Sequence, residues 1–263
     1  MTERPLVAFT LLSQTAVGAF FTLGALDVGA AALSGQPLPR ALTDGVLFAI
    51  GPVMVAALAV SLLHLGAPAG AWRVAANLRS SWLSREVLLA VGFALAGAAF
   101  AALRLSGHGP PGVRSALAAT TALMGVSLVY AMARVYRVRT VPSWDTPLTT
   151  ISFFAAAVLL GTLSVGTGLV LLPGVPGEMV VGPVRGIALA ASAGFGAELA
   201  VPGRGTLHGV RRILLLAGLG LSVGLLLGAS RAPGLLVAAF ILALAAEVLG
   251  RYLFYVEGSR KAL

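Results

Sequence analysis

Eight stretches of this sequence are each long and apolar enough to cross a bilayer, and they leave room for little else. A helix crossing the hydrocarbon core needs roughly 20 apolar residues at a rise of about 1.5 Å each. The candidate spans are Leu6–Leu33, Thr43–Leu63, Ser84–Leu105, Val113–Val135, Pro147–Leu171, Val181–Ala200, Leu207–Ala229 and Pro233–Val256. The connectors between them hold Gly/Pro punctuation such as "SGQPLP", "SGHGPPG", "LPGVPGE", "VPGRG" and "SRAPG", the usual mark of turns. None is long enough for a water-soluble domain. Lipid offers no hydrogen-bond partner to a peptide group, so such spans must satisfy their backbones internally, as helices. The expectation is an all-α integral membrane protein, a single eight-helix domain over residues 1–263. Composition agrees: 58% of the residues are hydrophobic and 10% charged, against about 25% charged in an ordinary soluble domain. The first segment is too long for the core of a cleaved leader and reads as a retained span.

There are no cysteines, so disulfides, zinc–thiolate sites and cysteine-held iron–sulfur clusters are excluded within this chain. The net charge is +9. In a soluble protein that would raise nucleic acid as a partner, but here the basic residues sit at the ends of apolar segments, where they record topology and docking. An even number of spans puts both termini on one side, side A. That side holds Arg4, Arg73, Arg79, Arg85, Arg134, Arg137, Arg139, Arg204, Arg211, Arg212, Arg251, Arg260 and Lys261, thirteen basic residues. Side B holds Arg40, Arg104, Arg114, Arg185 and Arg231, five. The positive-inside rule then places side A, with both termini, in the cytoplasm. A basic face that docks an acidic partner would produce the same asymmetry.

Side B connectors are short. Side A has two long ones, His64–Leu83 and Tyr136–Thr146, rich in Arg, Trp and Ser. Such faces fit contact with a polar partner or, equally, interfacial anchoring. A possible duplication also shows. "RPLVAFTLLSQTAVGAFF" (Arg4–Phe21) and "TPLTTISFFAAAVLLGTL" (Thr146–Leu163) both open on Pro-Leu and a hydroxyl-bearing helix, which would divide the chain into two four-helix halves.

The ionisable residues cluster toward side A. His64 ends the second span, before Gly66 and Pro68, and an imidazole there can accept a proton at the membrane surface. Glu86 opens the third span, where Ser84 would be the N-cap and the carboxylate would favour the helix start. The two end neighbouring helices at one depth and are candidates for a proton-accepting pair. Glu247 and Arg251 in "AEVLGRYLFY" stand four apart, the favourable order for a self-neutralising pair. Gln14, Thr15 and Glu198 add polarity on the same side. The histidines are His64, His108 and His208. They form no pair spanning the membrane, so a haem relay is not expected. From the residues alone, a redox anchor, a secondary transporter and a purely structural anchor all stand. Rim placement of the charges disfavours a transporter.

Several strings carry a resemblance. "HLGAPAGAWRVAANLRSSWLSREVL" (His64–Leu88), "ARVYRVRTVPSWDTPLTTISFF" (Ala133–Phe154), "AEVLGRYLFY" and the opening "RPLVAFTLLSQTAVGAFF" resemble segments of the dimethyl sulfoxide reductase anchor subunit family. The resemblance implies a quinol-oxidising subunit without haem. It would hold an iron–sulfur electron-transfer subunit and a molybdopterin catalytic subunit at the membrane during anaerobic respiration, and oxidise menaquinol. The terminal substrate would be chosen by the catalytic subunit. It also implies that His64 and Glu86 act at the quinol site. Arg73, Asn77 and Ser81 would then donate hydrogen bonds to the quinone oxygens, and Arg79, Arg85, Arg134, Arg137, Arg139 and Trp144 would meet the partner.

Overall fold

A computed structural model describes residues 4–36, 38–63, 77–107, 110–171, 177–203, 205–228 and 233–261. The described residues form helices α1 (Arg4–Ser34), α2 (Arg40–Leu63), α3 (Trp82–Ser106), α4 (Pro111–Tyr136), α5 (Pro147–Leu171), α6 (Gly177–Leu199), α7 (Thr206–Leu227) and α8 (Pro233–Lys261), with no strand among them. Proline occupies the first position of α4, α5 and α8, where its missing N–H costs nothing and its fixed φ suits a helix. Seven of the eight helices are long and apolar enough to cross a membrane. The exception is α6, which carries Pro183, Arg185 and Glu198. The chain is a multi-pass membrane protein, and α6 is a packed helix of that bundle.

The polarity of the surface is inverted relative to a soluble fold. Leu95, Leu123 and Ile213 are 67%, 70% and 66% exposed, while Gln14, Glu86, Glu198, Arg211, Glu247 and Arg251 are buried. Lipid covers the leucines at no cost, and polar side chains turn inward to meet one another.

Helix α1 packs on α2, α2 on α3, α3 on α4, and α4 returns to α1; likewise α5 packs on α6, α6 on α7, α7 on α8, and α8 on α5. The two sets meet along α1 and α5. At that seam the backbones touch: a Cβ on Gly18 would lie 1.8 Å from the Ala157 carbonyl oxygen, and one on Gly161 would lie 2.2 Å from the Gly18 carbonyl carbon. Without a hydrophobic drive between helices in lipid, close backbone approach at small residues is what holds them together.

The third helix begins two residues earlier than the sequence implies. Ser81, not Ser84, is the N-cap, its hydroxyl accepting the Ser84 backbone N–H at 3.2 Å. Trp82 therefore enters the helix, and Glu86 moves out of the first turn.

Candidate functional site

Most of the buried polar side chains at the side A end fall into two linked groups. The first surrounds Glu86. It is 4% exposed in the second turn of α3, too far along to cap the helix. Its carboxylate makes no hydrogen bond or ion pair among the described residues. Ionising an unpaired buried carboxylate costs several kcal/mol, so a position like this one suits a group that is met by a ligand or exchanges a proton with one. Tyr136, the last residue of α4, and Tyr255 of α8 place their hydroxyls 3.1 Å apart, and both lie within electrostatic reach of Glu86. The Tyr136 ring is fixed by edge contacts with Trp144 and Phe254, at 5.6 Å each, and a tilted contact with Phe153 at 5.9 Å.

The second group joins α1, α5, α6, α7 and α8. Arg211 donates to Glu198 and, at 3.4 Å, to Glu247. Ser152 donates to Glu198 at 3.1 Å. Arg251 lies 3.6 Å over the Phe153 ring and donates to the Gln14 amide oxygen at 3.3 Å, while the Gln14 amide nitrogen donates to the Phe153 carbonyl at 3.1 Å. The expected Glu247–Arg251 pair does not form. The spacing is right, but Glu247 turns to α7 and Arg251 to α1 and α5, where neighbouring helices supply partners across the bundle. A cavity of about 360 Å³ opens beside this group, with Glu247 and Arg251 on its walls. His208 and Glu257 also line it, with His208 Nε2 2.8 Å from a Glu257 oxygen.

His64 and Arg73 lie outside the described residues, as do His108, Arg204 and Arg231. Asn77 is exposed, with its Oδ1 accepting from the Ser80 hydroxyl at 2.7 Å, which leaves its amide N–H groups outward. Ser81 caps α3 and keeps its own O–H as a donor. Arg85 serves its own connector, donating to the Leu78 and Arg79 carbonyls at 2.8 and 2.7 Å. Its guanidinium also sits 4.3 Å from the Trp82 ring centre, with Arg134 5.2 Å from the same ring. Arg137 faces Asp145 at 3.5 Å. Arg79 and Arg139 are exposed.

Trp144 packs inward. Its indole N–H donates to the Phe254 carbonyl at 2.9 Å and its ring stacks on Phe254 at 5.2 Å. A Cβ on Gly258 would lie 2.0 Å from that indole, so glycine is what lets the ring lie against α8. Sequence reading missed Tyr136, Tyr255 and Phe153 as members of the site. The only signal available was their common side A depth.

The geometry can be set beside known proteins. The family described as DMSO reductase anchor subunit (DmsC) matches residues 1–188. One chain of the anaerobic dimethyl sulfoxide reductase of Haemophilus influenzae is 30% identical over 96% of this sequence and 94% of its own length. Its Escherichia coli namesake is 32% identical over the same shares. A subunit of the sulfite dehydrogenase of Allochromatium vinosum is 34% identical over 46% of each of the two proteins.

Proposed function

Because the chain belongs to the dimethyl sulfoxide reductase anchor subunit family, we propose that it oxidises menaquinol at its side A rim and passes the electrons to an iron–sulfur subunit docked there. That subunit would feed a molybdopterin catalytic subunit in anaerobic respiration. The observation that carries the reading is Glu86: buried, unpartnered among the described residues and within electrostatic reach of the Tyr136–Tyr255 hydroxyl pair. Oxidising a quinol releases two electrons and two protons. The protons need acceptors at the ring oxygens, which Glu86 and His64 supply, and Arg73, Asn77 and Ser81 offer the hydrogen bonds that hold the ring. The electrons must leave through a partner, because a chain without cysteine holds no cysteine-ligated cluster of its own. Arg79, Arg139, Arg134 and Arg137 face that partner, with Arg85 and Trp144 shaping the connectors behind them. Side A would be cytoplasmic in the plasma membrane. Arg211 and Arg251 are internal, so the basic count behind that orientation is eleven on side A (the thirteen less these two) against five on side B. The two rings of four helices would be the duplicated halves.

The test separates the half-reactions. Reduced dyes feed the clusters directly and bypass the quinol site. His64→Ala and Glu86→Gln should each slow quinol-linked turnover by about 10²–10⁴-fold, the worth of a positioned acid–base group, and leave dye-linked turnover unchanged. Normal quinol-linked turnover in both variants would refute the assignment.

A further inference from the structure

A large cavity lies at the other end of the bundle. It measures about 890 Å³, is walled mainly by apolar side chains of α1 and α4, among them Phe21, Ala118 and Ala122, and has Arg40, Arg104 and Arg114 at its polar rim. The arginines divide by partner. Arg104 is bound to Asp44 at 2.7 Å and to the Thr43 hydroxyl. Asp27, also in the lining, accepts the Leu38 backbone N–H on one carboxylate oxygen at 3.0 Å. Arg40 and Arg114 make no ion pair or side-chain hydrogen bond among the described residues. They stand on the first turns of α2 and α4, whose N-terminal dipole ends add further positive potential at the same depth.

We propose that this cleft binds one anionic phospholipid, its acyl chains between α1 and α4 and its phosphate on Arg40 and Arg114. The inference does not rest on the quinol reading. The cleft is far too large and too apolar to be a water site, and its exposed walls open toward lipid. What its mouth offers is an excess of guanidinium groups, three arginines against the carboxylate of Asp27, with no imidazole among the described lining residues. It therefore asks for an acceptor carrying negative charge and attached to a long apolar body. A quinol head is neutral and leaves both unpaired guanidinium charges without a counter-ion. A zwitterionic phospholipid fits the apolar body but brings its own cation to a site that already has two.

The experiment uses the full-length chain with its co-purifying subunits in nonionic detergent. Phosphatidylglycerol and phosphatidylcholine are supplied in equal amounts as mixed micelles, and lipid retained per chain is read by native mass spectrometry. A surface arginine favours an anionic lipid by roughly fivefold, so the pair should give about a twenty-five-fold preference for phosphatidylglycerol, at a stoichiometry of one. Arg40→Gln with Arg114→Gln should abolish the preference, and Arg212→Gln, at an exposed side A position, should leave it intact. Ala122→Phe, which narrows the cleft without touching a charge, should lower retention of both lipids. Equal retention of the two lipids by the unaltered protein would overturn the proposal. So would an unchanged preference in the double variant, or displacement of the lipid by millimolar inorganic phosphate or by a menaquinol analogue.

Discussion

Arg211 is the residue whose loss the bundle should tolerate least. Its guanidinium is the shared partner of two carboxylates from two other helices: Glu198, 0% exposed, and Glu247, 1% exposed. Arg211→Met keeps the stem, which lies against α8 where Gly250 leaves room, and removes the guanidinium with its charge and its N–H donors. Two acidic side chains then stay buried without a cation, and Ser152 remains the one donor to Glu198 among the described residues. Breaking a buried pair from one side costs about 3–5 kcal/mol, because the stranded charge is worth more than the lost contact. That corresponds to a roughly 150- to 5,000-fold drop in the folded-to-unfolded ratio. Reversible unfolding in mixed detergent micelles, followed by circular dichroism, measures it. The decisive comparison is the triple variant Arg211→Met, Glu198→Gln, Glu247→Gln. Replacing a whole buried ionic group by neutral residues is often close to neutral, so the triple variant should recover most of the loss. A single variant within about 1 kcal/mol of the unaltered protein would refute the reasoning. A triple variant less stable than the single one would refute it as well.

Other outcomes follow from the same geometry. Gly161→Ala puts a methyl group into the Gly18 backbone and should cost about 1–3 kcal/mol or more, while Gly29→Ala, with nothing within 4 Å of its added carbon, should sit within about 0.5 kcal/mol of the unaltered protein in the same unfolding assay. Reversing the exposed charges with Arg79→Glu and Arg139→Glu should slow association with the electron-transfer subunit and flatten its dependence on salt, as seen by surface binding kinetics from low to physiological ionic strength.

The helices were legible because their signal is local: a run of apolar residues bounded by Gly and Pro states its own length. The bounds of α2, α4, α5 and α7 lie within three residues of the runs. The side of the membrane that gathers polar chemistry was legible too, since depth along a span can be counted. What could not be read was which helix faces which. Glu247 and Arg251 looked like each other's partners because spacing on one helix is visible in a string. Arg211, 36 residues from Glu247, and Gln14, 237 residues from Arg251, are not. Tyr136 and Tyr255 meet across a separation of 119 residues for the same reason. Glu86 looked like a helix-start residue because Ser84, two residues before it, was read as the cap. Only the observed cap shows that α3 starts early enough to carry the carboxylate past the first turn.

The placement of Glu198 also bears on how the protein is made. A carboxylate near the end of α6 is poorly suited to stand alone in lipid, where an ionised side chain at mid-helix costs about 2.5–3.5 kcal/mol on the insertion scale. Its cation comes 13 residues later, on α7, so the helix with the weakest claim to enter the bilayer is followed directly by its neutralising partner. The two are suited to enter as one antiparallel hairpin. Arg211 gains its second carboxylate only when α8 is synthesised, and Glu247 arrives there with Arg251 four residues behind it. The neutralisation of Glu198 is thus complete before α8 exists, and the final helix adds one buried acidic and one buried basic side chain, Glu247 and Arg251, to a pair already balanced.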